Sequence, residues 1–337
     1  MCHAERTKEE PQKIQSNQTL DAINSRTGRN MPQAILTAVL LVALILVCLY
    51  LGSDAFMILI VFFMSLGLWE LRVDFATAGL SIPIVPLWIC SAATMLAMFY
   101  SSDHVVWLTV SIFLTFLIVT ICASFQSRSS TRLKRAVANK LQITSSTAIS
   151  DHSGHTAPCN KSKQQNKGLY ANVGVSLLTV IYITFLACFI VLPTTFGDHP
   201  TAHAIMSVFL PAVGDVSGLA FGAWLGKHKL SPRISPKKSL EGLAGSMIMC
   251  IVATFVMFAC TYARQDWGRI WWVALLLGAV VGITGTFGDL SASLIKRDLG
   301  IKDMGHLLKG HGGVLDRVDS ILMSAPFIAL ILWVTGL

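Results

Sequence analysis

The chain has 337 residues, of which 53% are hydrophobic and only 13% are charged, and its mean hydropathy is +0.63. Soluble domains carry about twice this fraction of charged residues. Disordered chains, nucleic-acid-binding modules and disulfide-rich secreted scaffolds need more charges or more cysteines than this chain has. These classes are therefore excluded, no nucleic-acid partner is expected, and the composition predicts an integral membrane protein.

Charged residues occur in clusters that are separated by long apolar runs. Nine runs are candidate membrane spans, most of them near the roughly 20 residues that cross a bilayer as a helix. They cover residues 31–53, 55–69, 75–102, 104–127, 169–197, 201–225, 242–263, 270–288 and 320–337, with a charged turn at 70–74. We therefore expect an all-α polytopic membrane protein with about nine transmembrane helices.

The basic residues predict the orientation of these helices. If successive spans alternate in direction, 24 of the 26 Lys and Arg residues fall on one side, and only Arg264 and Arg269 fall on the other. Cytoplasmic loops carry the excess of Lys and Arg. The N-terminus is therefore predicted to be cytoplasmic and the C-terminus to lie outside, in the inner or plasma membrane of the cell.

Composition divides the chain into four regions: a polar tail (1–31), a first transmembrane region (32–125), a loop (126–168) and a second transmembrane region (169–337). The loop supplies most of the net charge of +8, is rich in Ser, Thr, Asn, Gln and Lys, and is predicted to be disordered. Within it, His152, His155 and Cys159 lack a fourth ligand and are interpreted as incidental polar residues. The cysteines of the apolar runs show no paired spacing, so no disulfide is predicted.

Asp215 lies ten or more residues from either end of its apolar run. Because an ionisable group in a bilayer costs about 2.5 to 3.5 kcal/mol, Asp215 is predicted to face a polar cavity. Pro211 and Gly214 precede it and predict a broken or kinked helix. The glycines that follow at intervals of four residues are Gly218, Gly222 and Gly226. This spacing predicts close helix packing, which we favour over a ligand-binding loop.

Ser235 and Pro236 resemble the cap and first residue of a helix, and Lys237 and Lys238 follow them. Two lysines in a first helical turn oppose the helix dipole unless an anion lies between them and the backbone N–H groups. The segment is therefore interpreted either as a phosphate site or as an anchor for anionic lipid at the membrane surface.

The densest cluster of polar residues is the segment 288–319. The residues that share one face of a continued helix are Asp289, Ser293 and Lys296. Asp316 and Asp319 share a face at the start of the last helix. Carboxylates beside basic residues can hold Mg²⁺ together with nucleotide phosphates. The alternative is an ion-paired loop at the membrane boundary.

The segment from Ser293 to Asp319 resembles the signature of the phosphatidate cytidylyltransferase (CDP-diacylglycerol synthase) family: a serine, then Lys-Arg, Lys-Asp, His-Gly-Gly and Asp-Arg-x-Asp. Residues 214–215, 226–230 and 235–242 also resemble motifs of this family. Two positions depart from it, because the family commonly has Glu at the position of Ala292 and Pro at that of Lys309.

The resemblance implies that CTP and phosphatidate react to give CDP-diacylglycerol and pyrophosphate, in a catalytic region at 169–337 that faces the cytoplasm. It implies Mg²⁺ as cofactor, leaves room for a second cation such as K⁺, and suggests membrane lipid and a second copy of the chain as partners. The implied metal ligands are Asp289 and Asp316. The implied catalytic residues are Lys296, Arg297, Asp316, Asp319 and His311. The implied substrate-binding residues are Ser235, Lys237, Lys238, Ser293, Lys302, Asp303, Arg317 and Asp215.

Two other functions remain open from the sequence. A CTP-dependent kinase of polyprenol- or phytol-type lipids would use a similar site, but it resembles the final signature less closely. A transporter could couple substrate movement to ions through Asp215, although no inverted repeat is visible between the two halves of the chain.

Overall fold

The computed structural model describes residues 31–145, 161–301, 304–305 and 313–337, and these are almost entirely helical. The α-helices are α1 (Met31–Leu51), α2 (Ser53–Thr77), α3 (Ile84–Tyr100), α4 (His104–Ser145), α5 (Lys161–Thr179), α6 (Leu186–Val191), α7 (Pro200–Leu225), α8 (Leu240–Thr261), α9 (Trp267–Asp298) and α10 (Leu315–Thr335). A π-helical segment (Val180–Phe185) joins α5 to α6, and 3-10 turns cover Leu192–Thr194 and Arg264–Asp266. The strands β1 (Lys229–Ser231) and β2 (Ser235–Ser239) form an antiparallel hairpin.

Seven helical segments of the described part are long and apolar enough to cross a membrane. They are Ser53–Thr77, His104–Gln126, Leu169–Thr194, Pro200–Leu225, Leu240–Thr261, Arg264–Asp298 and Leu315–Thr335. Two further apolar helices, Thr37–Leu51 and Ile84–Tyr100, are shorter. The polytopic helical architecture is therefore confirmed, whereas nine crossings and a cytoplasmic N-terminus remain predictions.

The structure differs from the sequence expectation in two polar regions. Helix α2 continues through residues 70–74, where a turn was expected. Helix α4 extends to Ser145 and α5 begins at Lys161, so helix replaces predicted disorder at both ends of the loop 126–168. Residues 1–30 and 146–160, which include His152, His155 and Cys159, lie outside the described residues.

The last four long helices pack against one another: α7 on α8, α8 on α9, and α9 on α10. Glycines set the close spacing. A Cβ added to Gly282 of α9 would lie 2.6 Å from Met247 Cα of α8, and one added to Gly222 of α7 would lie 3.7 Å from Gly242 Cα. The packing role predicted for the glycines of α7 is thus confirmed.

Helix α10 lies between the two hydrophobic cores of the molecule. Its first half, through Leu315 and Leu322, belongs to a core with the N-terminal helices. Its second half, through Ile328 and Leu332, belongs to a core with α7, α8 and α9. The first turns of α10 therefore meet both halves of the chain.

Candidate active site

Four aspartates from three helices gather at one end of the C-terminal bundle: Asp215 of α7, Asp289 of α9, and Asp316 and Asp319 of α10. Asp319 is buried and lies within electrostatic range of both Asp215 and Asp289. The Ser320 hydroxyl donates a hydrogen bond to Asp215 Oδ1 at 2.9 Å. Acids that are far apart in the sequence thus form one cluster.

The helix around Asp215 was predicted to be broken or kinked, and the structure shows that it is not broken. Helix α7 runs without interruption from Pro200 to Leu225 with Pro211 inside it. Gly214 brings α7 close to α8, because a Cβ there would lie 2.9 Å from Cys250 Sγ. The Asp215 carboxylate is accommodated by the Ser320 hydroxyl and by a polar cleft, so no gap in the helix is needed.

Two of the aspartates form ion pairs with lysines. Lys238 Nζ lies 2.6 Å from Asp289 Oδ2, and Lys296 Nζ lies 2.8 Å from Asp316 Oδ1. The second pair is the more enclosed, because the Asp316 side chain is only 10% exposed whereas that of Asp289 is 33% exposed. Each aspartate that the resemblance implies as a metal ligand is therefore paired with a lysine to which it also assigns a role, substrate binding for Lys238 and catalysis for Lys296.

Asp316 also organises the backbone that precedes α10. Its Oδ2 accepts hydrogen bonds from the backbone N–H groups of Met304 at 3.0 Å and of Gly313 at 3.4 Å. Met304 precedes the glycine-rich part of the signature, and Gly313 is the last residue of its His-Gly-Gly. The carboxylate thus fixes both ends of this segment while its other oxygen contacts Lys296.

A cleft of about 440 Å³ opens beside the cluster, between α7, the start of α8 and the hairpin. Its walls include Asp215, Gly218, Gly222, Ser235, Lys238 and Asp289. Pockets of this volume are typical of sites for small molecules. The charged residues that line it are Asp215, Lys229, Lys238 and Asp289.

The predicted helix start at Ser235 is wrong, because Ser235–Ser239 form strand β2 and pair with β1. The cap of α8 is Ser239, whose Oγ accepts a hydrogen bond from Gly242 N at 3.1 Å. The Glu241 carboxylate anchors the start of the hairpin by accepting a hydrogen bond from His228 Nδ1 at 2.7 Å. Hydrogen bonds between the strands thus override the local pattern of Ser followed by Pro.

Glu70 is a site residue that sequence reasoning missed. Its side chain is completely buried, and its Oε2 accepts a hydrogen bond from the backbone N–H of Leu315 at 3.0 Å. A Cβ added to Gly305 would lie 2.7 Å from Glu70 Oε1, and one added to Gly313 would lie 2.8 Å from Glu70 Oε2. The sequence pattern that singled out Asp215, an acid near apolar residues, is also present at Glu70. The charged residues next to Glu70 instead suggested a turn at 70–74.

Tyr182 is a second missed residue. It lies in the π-helical segment, it is 7% exposed, and its hydroxyl is 3.4 Å from Ser291 Oγ. Asp289, Asp316 and Asp319 are all within its electrostatic range. π-Helical turns frequently occur at functional sites, but no local sequence pattern indicates one in this chain.

Some of the remaining predicted site residues lie within the described part of the chain, and the others lie outside it. Arg297 Nε donates to the carbonyl oxygen of Ile234 at 3.4 Å and so links α9 to the hairpin, while Ser293 is half-buried one turn after Asp289. Arg317 is exposed in the first turn of α10, and Ala292 is completely buried. The residues that lie outside the described part are Lys302, Asp303, Lys309 and His311, together with the side chain of Lys237.

The acid cluster fits a magnesium ion by the chemistry of its donors. No group of three or more His, Cys, Asp and Glu side chains among the described residues is arranged to hold a metal alone. Mg²⁺ does not require such a group, because it is commonly bound by one or two carboxylates together with substrate phosphates and water. Asp289 and Asp316 can supply those carboxylates.

Proteins named phosphatidate cytidylyltransferase match parts of the chain. The protein from Mycobacterium bovis is 42% identical over 158 residues, which are 45% of this chain and 50% of that protein. The one from Mycobacterium leprae is 51% identical over 111 residues (33% and 34%), and the one from Staphylococcus haemolyticus is 33% identical over 168 residues (50% and 62%). The chain spans about half the length of the curated relatives it matches.

The sequence model of the Cytidylyltransferase family matches residues 32–335, which is much more of the chain than these pairwise similarities cover. The match therefore includes the seven helical segments that are long and apolar enough to cross a membrane, as well as the cluster of acids and lysines. It agrees with the resemblance carried by residues 293–319. The chain belongs to the Cytidylyltransferase family.

Proposed function

We propose that the chain is a phosphatidate cytidylyltransferase, which converts CTP and phosphatidate to CDP-diacylglycerol and pyrophosphate with Mg²⁺ at the cytoplasmic face of the cell membrane. The observation that carries the proposal is the pairing of Lys238 with Asp289 and of Lys296 with Asp316 at one end of the bundle. Family membership and the names of the relatives support it.

The proposed reaction needs no strong base. An anionic phosphate oxygen of phosphatidate attacks the α-phosphorus of CTP, and the bond from this phosphorus to the oxygen that bridges it to the β-phosphorus breaks. The bridging oxygen and its electron pair leave with pyrophosphate. The task of the protein is therefore to bring two polyanions together in line and to stabilise their charge.

The residues of the cluster suit this task. Asp289 and Asp316 would hold Mg²⁺, which when bound would neutralise phosphate charge and polarise phosphoryl oxygens. Lys238 and Lys296 contact these carboxylates, and they would move to phosphate oxygens when substrates enter. Ser235 lines the same cleft as Lys238 and can donate a hydrogen bond to a phosphate.

The test is a turnover assay with the purified full chain in lipid-containing micelles, using CTP and phosphatidate, with the products identified by mass. We expect a CDP-lipid and pyrophosphate with Mg²⁺ and none with EDTA. Asp289→Asn should abolish turnover. Asp54→Asn should not, because Asp54 lies in the first turn of α2, far along this helix from Glu70, and accepts a hydrogen bond from the exposed Tyr100 hydroxyl.

Two results would contradict the proposal. Full activity of the Asp289→Asn variant would exclude this residue as a metal ligand. Release of CDP, with transfer of the γ-phosphate to an added polyprenol, would instead indicate a lipid kinase.

A further inference from the structure

A pocket of about 380 Å³ lies at the end of the helical bundle opposite the acid cluster. It is formed by the connection that leads into α4, by α6 and the segment after it, and by the last turns of α10. Along α10, the distance from Asp319 of the cluster to Trp333 of the pocket is about 21 Å. The volume is within the range of pockets that bind small molecules. The pocket is therefore a separate site and no part of the proposed active site.

Most of the wall of this pocket is apolar and continues onto the outer surface of the helices. The apolar residues that line it include Val105, Val106, Phe189, Phe196, Leu330 and Trp333. The side chains of Val105, Val106, Leu330 and Trp333 are each more than half exposed. Exposed apolar side chains of transmembrane helices contact lipid, and Trp is enriched where the bilayer meets water. The pocket is thus accessible from the bilayer, and its apolar wall suits an acyl chain.

The polar residues of the pocket are Ser102, Asp103 and His104, at the start of α4. His104 Nδ1 lies 2.8 Å from the carbonyl oxygen of Met98, which can only accept a hydrogen bond, so Nδ1 carries the proton and Nε2 is an acceptor in the neutral ring. Within the described part of the chain, neither Nε2 nor the Asp103 carboxylate bonds to another residue.

The charge of the pocket selects the kind of headgroup that fits. Asp103 is the charged residue among the described residues that line the pocket, and no Lys or Arg is among them. An anionic headgroup would therefore meet a carboxylate without a cation beside it. A headgroup that carries a positive charge and donates hydrogen bonds would pair with Asp103 and with His104 Nε2.

We propose that this pocket binds a phospholipid whose headgroup ends in a primary ammonium group, with the ammonium at Asp103 and His104 and the upper part of an acyl chain against Phe189 and Leu330. A primary ammonium has three N–H donors for the carboxylate and the ring nitrogen, whereas a trimethylammonium group has none. The site binds a membrane lipid and takes no part in turnover. The inference therefore does not depend on the proposed function.

The experiment titrates the purified full chain in detergent micelles with one of three dioleoyl lipids and counts the bound molecules by native mass spectrometry. The lipids are phosphatidylethanolamine, phosphatidylcholine and phosphatidylglycerol, which here share their acyl chains and differ in the headgroup. We expect the first molecule of phosphatidylethanolamine to bind about fivefold more tightly than either of the others, the ratio given by a strong exposed ion pair. Equal affinities for the three lipids would overturn the proposal.

Two variants and their controls test the location of the site. Asp103→Asn should reduce the preference for phosphatidylethanolamine to less than about twofold, whereas Asp54→Asn should retain it, because Asp54 is also exposed but does not line the pocket. Leu330→Trp should fill the pocket and weaken the first binding step by about tenfold. Val256→Trp is its control, because Val256 is exposed in α8, which contributes no residue to the pocket. A preference that survives Asp103→Asn, or tight binding that survives Leu330→Trp, would overturn the site.

Discussion

Glu70 in α2 accepts a hydrogen bond from the backbone N–H of Leu315, the first residue of α10, at 3.0 Å. The N–H groups of a first helical turn have no acceptor within their own helix. A carboxylate from the opposite half of the chain supplies one here, and it packs at the same time beneath Gly305 and Gly313. The helix that carries Asp316 and Asp319 is therefore positioned in part by the N-terminal region.

Glu70→Ala should destabilise the protein. Loss of the acceptor leaves a buried N–H group without its partner, which costs about 1 to 3 kcal/mol. Glu70→Gln retains an oxygen that can accept from Leu315 and should lose less. Thermal unfolding in detergent measures both. Asp54→Ala in the same helix is the control, because the Asp54 carboxylate accepts a hydrogen bond from the exposed Tyr100 hydroxyl at 2.8 Å. Equal melting temperatures for Glu70→Ala and Asp54→Ala would refute this role.

The two lysine–aspartate pairs should differ in their contribution to stability. Lys296→Met leaves the enclosed Asp316 carboxylate without its cation and should cost about 3 kcal/mol. Lys238→Met affects the more exposed pair with Asp289 and should cost about 1 kcal/mol or less. A double-mutant cycle with Asp316→Leu, read by thermal unfolding, measures the coupling of the enclosed pair. A coupling near zero would show that Lys296 and Asp316 act independently in the folded protein.

Gly288→Ala should separate α9 from α10. An added Cβ would lie 2.6 Å from the carbonyl oxygen of Asp319 and 2.8 Å from Ser320 Cα, so the helices must move apart, at a cost of about 1 to 3 kcal/mol. Turnover should fall as well, because Asp289 and Asp319 move with their helices. Gly268→Ala in the same helix meets no atom within 4 Å and should be neutral or slightly stabilising in the same two assays. Wild-type activity in Gly288→Ala would contradict the close approach.

Ser239→Ala and Ser235→Ala distinguish the observed cap of α8 from the one that the sequence suggests. Loss of the Ser239 hydroxyl removes the acceptor for Gly242 N and should lower the free energy of unfolding by about 1 kcal/mol. Ser235→Ala should leave this free energy within about 0.5 kcal/mol of wild type. Its effect should instead appear in the KM for CTP, because Ser235 lines the cleft. If Ser235→Ala were more destabilising than Ser239→Ala, Ser235 and not Ser239 would be the cap of α8.

Local patterns in the sequence account for the features that depend on neighbouring residues along one helix. Asp289 and Lys296 share a helix, so their common face follows from the period of that helix once it continues past residue 288. The same reasoning failed at Ser235 and at Glu70. In both places the deciding hydrogen-bond partner lies on another segment, in strand β1 for Ser235 and at the start of α10 for Glu70.

The sequence by itself determined that the protein folds with lipid as its solvent, because long apolar runs without charges can satisfy their backbone hydrogen bonds in a bilayer only as helices. It also determined which acids and lysines are available for chemistry. Only the tertiary structure decided that Lys238 meets Asp289 and that Glu70 supports α10. The physical reason is that these contacts depend on which helix faces pack together, and close approach at glycines such as Gly282 and Gly288 sets that packing.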